Sequence, residues 1–304
     1  MIFMKADVFS VEGKKLHEME LPGQFSAQYN EGLIRRAVLA IQSAGVQQKA
    51  PYVLAGRHNT SVYVGARGKP AMYRGINVEK ARKPRLKNRR FLISGQGAGI
   101  PAVVGGPKAH PPKIEKVWEE KINAKEKKAA TESAIAATGN IALVKARGHL
   151  VPEGAKLPFV VEQKFEDISR TKDVVAVLEK LGLFADVEKV KSKRKIRAGK
   201  GKKRGRVHKV GKSVLIIAAD TSKIFRAERN ISGVEVAEAK GLNADILAPG
   251  ATAGRLALWT EGAIKALAEG IKTGPDSAKK AKAEEKKANV KENKKPKEAK
   301  GKAK

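Results

Sequence analysis

The side chains whose type and spacing could do chemistry in this chain are bases, and they come in runs. Residues 191–212 read KSKRKIRAGKGKKRGRVHKVGK, with 12 Lys or Arg and no acid. Arginine forks onto phosphate oxygens in bidentate fashion, while lysine acts as a mobile point charge. Residues 45–114 hold 14 bases and 1 acid, and among them stand Tyr52, Tyr63, Tyr73 and Phe91. Aromatic rings and guanidinium planes stack on unpaired bases, so such a mixture suits RNA better than it suits a solvated linker. Residues 275–304 add 12 Lys against 5 acids in a Lys/Ala/Glu tract with nothing to bury. The net charges of 45–114, 191–212 and 275–304 are +13, +12 and +7, which account for all of the formal +32. The remainder of the chain is neutral.

A neutral body with three basic appendages is built to grip a polyanion, because neutralising phosphates releases condensed counterions. A membrane surface is the competing partner. Membrane-binding charge usually accompanies an amphipathic helix with bulky apolar anchors, whereas these runs are full of Gly and Pro. Nucleic acid is therefore the expected partner, with no membrane and no small-molecule substrate. Lys5 and Asp7 interrupt any signal-peptide core, and the longest apolar run, Val214–Ala219, is too short to cross a bilayer. The expectation is a soluble, cytoplasmic protein, and the absence of cysteine excludes disulfides and thiolate metal sites.

Enzyme motifs fail on inspection. Gly205–Ser213 resembles a phosphate loop but has one residue too many between its glycines, and it precedes a strand. Gly97–Ala102 can be forced onto the dinucleotide fingerprint, yet Pro101 and the glycines after it do not open a helix. His17, His58, His110, His149 and His208 are scattered without metal-ligand spacing. Asp220 follows the best strand, where α/β enzymes often keep a carboxylate, but it reads better as a helix cap before Ser222. No enzyme, cofactor or metal is expected.

The elements that must position the bases read as α/β. Leu33, Ile34, Ala37, Val38 and Ile41 form a helical stripe over 31–44, closed by Gly45. A second helix is expected from a capping box at Asn123 and Glu126 to a left-handed Gly139. A shorter one follows from Asn140 to Arg147. Leu157–Glu162 reads as a buried strand, and Thr171 as the cap of a helix carrying Val174, Val177, Leu178 and Leu181. Ser213–Ala219 is apolar on both faces, as in a covered parallel sheet. Short helices at 222–229 and 243–247, strands at 234–236 and 256–259, and a helix after Thr260 complete an alternating series. Alternation implies an open, mostly parallel sheet with flanking helices. The expected organisation is a globular α/β domain from 1–44 and 115–274, interrupted by an extended loop at 45–114. Residues 191–212 form a basic loop within that domain, and 275–304 a disordered tail. Doubled back on itself, the 45–114 loop spans on the order of 100 Å at full stretch.

Several pieces in colinear order resemble a known family, the archaeal and eukaryotic type of large ribosomal subunit protein four. They are Ala109-His-Pro-Pro-Lys113, Asn123-Ala-Lys-Glu126, Phe165-Glu-Asp167 and the run from Lys195 to Arg206. Ala227-Glu-Arg-Asn-Ile-Ser-Gly233, Leu247-Ala-Pro-Gly250 and Gly254-Arg-Leu256 complete the set. The resemblance covers roughly residues 4–271, and the tail lies outside it. It implies a structural protein of the large subunit whose long loop threads into ribosomal RNA and lines the polypeptide exit tunnel. The implied partners are large-subunit ribosomal RNA, neighbouring ribosomal proteins and the nascent chain. Candidate RNA contacts in the loop are Arg57, Arg67, Lys69, Tyr73, Arg74, Arg82, Lys83, Arg85, Lys87, Arg89, Arg90, Lys108, His110 and Lys113. Those beside the body are Arg194, Lys195, Arg197, Lys200, Lys202, Lys203, Arg204, Arg206 and Lys209. Two other classes compete: a chromosomal, DNA-architectural protein, suggested by the tail, and a nucleotide-binding enzyme acting on RNA, suggested by the body. A preference for duplex DNA, or tight nucleotide binding, would mark either.

Overall fold

The computed structural model describes residues 4–63, 81–87 and 95–270. The chain divides into two compact units, Gly45–Glu119 and the residues on either side of it.

In the flanking unit, β1 (Lys5–Phe9) and β2 (Lys15–Glu20) form an antiparallel hairpin, followed by α1 (Glu31–Ala44). The Gly45–Glu119 unit contributes β3 (Ser61–Tyr63) and β4 (Pro84–Leu86). The larger unit resumes with α2 (Ala124–Thr138), α3 (Ile141–Arg147), β5 (Phe159–Val161), α4 (Thr171–Lys180) and α5 (Phe184–Ser192). Next come β6 (Lys195–Ile196), β7 (His208–Lys209), β8 (Leu215–Ala218), α6 (Ile224–Glu228) and β9 (Glu235–Glu238). The described chain ends with α7 (Ala244–Leu247), β10 (Ala257–Thr260) and α8 (Glu261–Ala268).

One six-stranded sheet has the order β2-β1-β5-β10-β8-β9. Every neighbouring pair is parallel except β1 with β2. This is the open α/β architecture that the alternation of strands and helices implies. The central strands are apolar throughout because helices cover both faces. Val160, Leu215, Ile217 and Trp259 point to one side, where they pack against Ile34 and Val38 of α1, Ile135 of α2, Leu247 of α7 and Leu267 of α8. Phe159, Val161, Ile216 and Leu258 point to the other, against Val177 and Leu178 of α4, Val187 of α5 and Ile224 of α6. Trp259 is fully buried and meets Phe25 edge-on, with ring centroids 5.1 Å apart.

Local signals worked unevenly. Asn140, Asn243 and Thr260 cap α3, α7 and α8, their side-chain oxygens accepting from Ala142, Ile246 and Ala263 N–H. The capping box expected at Asn123 is not formed: α2 begins there, but the Asn123 side chain caps nothing and Glu126 pairs with Arg36 at 3.2 Å. Gly139 ends α2 in the right-handed region, so the left-handed stop belongs instead to Gly148 after α3. Thr171 is the first helical residue of α4, not its cap. The hairpin β1–β2 and helix α5 have no counterpart among the expected elements. Among the described residues, no helix is long and apolar enough to cross a membrane.

Candidate nucleic-acid interface

The basic run beside the body, expected as a loop, contains a short β-hairpin. Strands β6 and β7 pair Lys195 with Lys209 and Ile196 with His208, and the Arg197 N–H donates to Val207 O at 2.8 Å. Between them, Lys200–Arg204 winds into a 3₁₀ turn flanked by Gly199 and Gly205, with φ of 76° and 80°. Those left-handed positions suit glycine alone without strain, which is why the run alternates Gly with Lys and Arg. The turn holds Lys200, Lys202, Lys203 and Arg204 together at the hairpin tip. These four, with Arg194, Lys195, Arg206 and Lys209, expose their side chains to solvent. Arg197 is half-buried, with an enclosed Nε.

The Gly45–Glu119 unit is built on short pieces, as its glycine and proline content requires. Residues 52–58 form a turn in which Ala55 N–H donates to Tyr52 O at 2.9 Å and Arg57 N–H to Leu54 O at 2.8 Å. Gly56 and Gly106 permit the backbones of this turn and of residues 100–107 to approach, since a Cβ at either would collide with Pro107, Gly106 or Ile100. Strand β4 lies between β3 and residues 95–98: Val62 faces Arg85, Leu86 N–H donates to Gln96 O at 2.9 Å, and Ala98 N–H donates to Pro84 O at 2.9 Å.

The candidate contacts in this unit fall into three groups. Arg57, Arg82, Lys83, Lys87, Lys108, His110 and Lys113 carry exposed side chains. Arg85 is committed within the protein: its guanidinium donates to Gly95 O at 2.8 Å and Ala81 O at 2.9 Å, bracing the small sheet. Arg67, Lys69, Tyr73, Arg74, Arg89 and Arg90 lie outside the described residues, as do Phe91 and the tail 275–304. Tyr52 and Tyr63 present rings to solvent, 62% and 51% exposed. Trp118, one of 2 tryptophans in the chain, belongs with these groups although it escaped the sequence reading. Lys116 and Lys49 stand over its ring at 4.4 and 5.5 Å, and a groove runs from it past Pro111 and Pro112 to Lys108. The legible signal was a tryptophan within a few residues of Lys113 and Lys116.

Among the described residues, the motifs that resemble enzyme sites do not take up the required geometry. Gly205–Ser213 leads into β8, and Gly97–Ala102 is bridge and turn, so neither opens a helix. Asp220 caps no helix: its carboxylate accepts from Ser222 N–H at 2.9 Å in a local turn before α6 begins at Ile224. That hydrogen bond holds its carboxyl below the usual range. Among the described residues no three His, Asp or Glu side chains are placed to hold a metal.

A profile of the ribosomal protein L4/L1 family matches residues 19–270. Large ribosomal subunit protein uL4 of Methanoculleus marisnigri is 45% identical over 266 residues, covering 88% of this chain and 99% of that protein. The uL4 of Methanocaldococcus jannaschii is 43% identical over 266 residues, again 88% of this chain and 99% of the relative. That of Methanopyrus kandleri is 41% identical over 266 residues, with 88% and 98% covered. At this identity and coverage, the chain belongs to the ribosomal protein L4/L1 family.

Proposed function

We propose that this protein binds large-subunit ribosomal RNA through two separate basic surfaces, the β6–β7 hairpin and the Gly45–Glu119 unit, and that the second also reaches the polypeptide exit tunnel. As a member of its family the chain is a structural component of the large ribosomal subunit, in the cytoplasm, and not an enzyme. The observation that carries the RNA reading is the segregation of charge. All of the net +32 lies in 45–114, 191–212 and 275–304.

In this reading the α/β domain (1–44 and 115–274) stays folded as a platform. The loop at 45–114 enters crevices between RNA helices that a folded domain cannot. Arg57, Arg82, Lys83, Lys87, Lys108, His110 and Lys113 neutralise phosphates that would otherwise repel one another, and Arg67, Lys69, Arg74, Arg89 and Arg90 extend the same series. Tyr52, Tyr63, Tyr73 and Trp118 offer faces on which unpaired bases stack. The exposed bases of the β6–β7 hairpin track the backbone beside the body, and neighbouring ribosomal proteins meet what remains exposed. Part of the loop, with its tip between Gly65 and Arg90, faces the nascent polypeptide.

The test is sedimentation with large subunits through a high-salt gradient, beside a variant lacking residues 63–92. The intact chain is expected to stay with the subunit, while the variant is lost or gives misassembled particles despite an unchanged circular dichroism spectrum of the body. If both wash off alike, the charge is mere surface adhesion and the reading is wrong.

A further inference from the structure

A cleft in the α/β unit, where the two ends of the 191–212 run meet α3 and α5, collects positive charge around a buried histidine. It is lined by Arg147 at the end of α3, by Lys189 and Lys193 on and just beyond α5, by Lys212 ahead of β8, and by His149 and Asp186. The floor is a closed hydrogen-bond network. Asp186, almost fully buried, accepts from His149 Nδ1 at 2.9 Å, from Ser213 Oγ at 2.6 Å and from Leu150 N–H at 3.0 Å. Burial alone would raise its acid, but those three hydrogen bonds together outweigh it and hold the carboxyl below the usual range. Asp186 is therefore ionised and offsets one charge, against the four cations Arg147, Lys189, Lys193 and Lys212 that line the same cleft. The His149 side chain is 5% exposed, and its Nε2 has no hydrogen-bond partner.

The cations are incompletely compensated. Lys189 donates to Gly148 O at 2.6 Å, and the Arg147 guanidinium donates to Thr252 and to Pro249 O at 2.8 Å. Carbonyls and a hydroxyl satisfy those donors without cancelling their charge. Lys212 shares a single carboxylate, Glu235, with the buried Arg255. Burial first, and repulsion from Arg255 second, pull Arg147 down to about 10 and shift Lys212 in the same direction. Like charges gathered around one cleft are relieved by an anion.

We propose that this cleft is a phosphate subsite that seats one phosphodiester of the RNA backbone against the body, between the end of α3 and α5. Lys193 and Lys212 reach the phosphate from the rim, Lys189 and Arg147 supply field from the walls, and the His149 ring forms the floor. With Nδ1 hydrogen-bonded to Asp186, the ring is held in place as the floor beneath the bound anion. The subsite rests on the RNA reading only for the identity of the phosphate.

Two measurements on the full-length protein test it. In the first, inorganic phosphate is titrated while the imidazole rings are followed by proton–nitrogen correlation. The His149 signals are expected to move and saturate, with the midpoint weakened about tenfold in Lys193→Gln/Lys212→Gln, the loss of a charge-assisted contact. Lys193→Gln alone, on an exposed side chain beyond α5, gives a smaller weakening in a variant that cannot disturb the core. Signals that stay still, or midpoints that match the wild type, overturn the subsite. In the second, binding to a large-subunit rRNA transcript is measured against salt, and the double variant is expected to lose about one unit of the log–log slope. An unchanged slope with phosphate still saturating means a site for the free ion, and the RNA assignment falls while the function proposed above stands. A transcript that fails to bind even the wild type overturns that function and the RNA assignment together, leaving the phosphate titration to judge the cleft alone.

Discussion

Glu228, in the last turn of α6, has no solvent exposure, and neither carboxylate oxygen has a hydrogen-bond partner. Burial pushes its acid up to about 9, so the folded protein carries it protonated at neutral pH. The unfolded chain releases that proton near 4.5, and the folded state gives it up only near 9. The stability contributed by the bound proton is therefore complete below about pH 4.5 and lost progressively as pH rises towards 9. Glu228→Gln removes the titration without changing shape. Urea unfolding of both proteins should show the variant gaining on the wild type from pH 5 to pH 9, by on the order of 5 kcal/mol at the upper end. A constant difference across that range would mean Glu228 ionises freely in the fold. Nothing in Arg226-Ala-Glu-Arg229 foretells this burial, because a glutamate between two arginines reads as a solvated ion pair. Arg85 misleads in the opposite sense, since in the sequence it is one more base of the loop and in the structure it is a brace.

At the scale of elements, legibility follows burial. Strands β8 and β10 are covered on both faces and announce themselves as apolar runs. Strand β2, KLHEME, lies at the sheet edge with most of its side chains exposed, and charged edge strands of this kind carry no alternation to detect. Helix α5 was hidden by its own last turn, where Lys189 and Lys191 merge with the basic run, although Asp186, Val187 and Val190 are buried one turn apart. Its loss from the sequence reading also concealed the phosphate cleft, which needs Asp186 and Lys189 on one helix. The junction of β10 and α8 shows how a single side chain can join two elements. Thr260 closes β10, accepts from Ala263 N–H to cap α8, and donates to Glu166, which also accepts from Ala219 and Asp220 N–H after β8. Thr260→Val keeps the β-branched shape but deletes the cap and strands part of a buried carboxylate. It should cost about 1–3 kcal/mol in urea unfolding. A cost near zero would show that Glu166 finds its partners without Thr260.

For the whole molecule, the question is how three basic segments of similar charge differ. The tail 275–304 and the basic run 191–212 carry net charges of +7 and +12. The run is shaped by β-pairing and two left-handed glycines, whereas the tail is a low-complexity tract with too few apolar side chains to bury. Charge that acts only through the ionic atmosphere is screened beyond roughly 10 Å at 0.1 M salt, and beyond roughly 3 Å at 1 M. Charge held in a shaped surface makes direct phosphate contacts that release counterions and adds stacking that salt does not screen. Removing residues 275–304 should therefore weaken binding to large-subunit rRNA in dilute salt and make little difference in concentrated salt. Removing 63–92 should weaken it under both conditions, because Tyr73 and Phe91 leave together with the arginines. Binding curves for the two deletions, measured across one salt series, decide the matter. If both lose affinity in parallel and converge with the wild type at high salt, the loop is no more than a second tail, and the shaped-surface account of this protein fails.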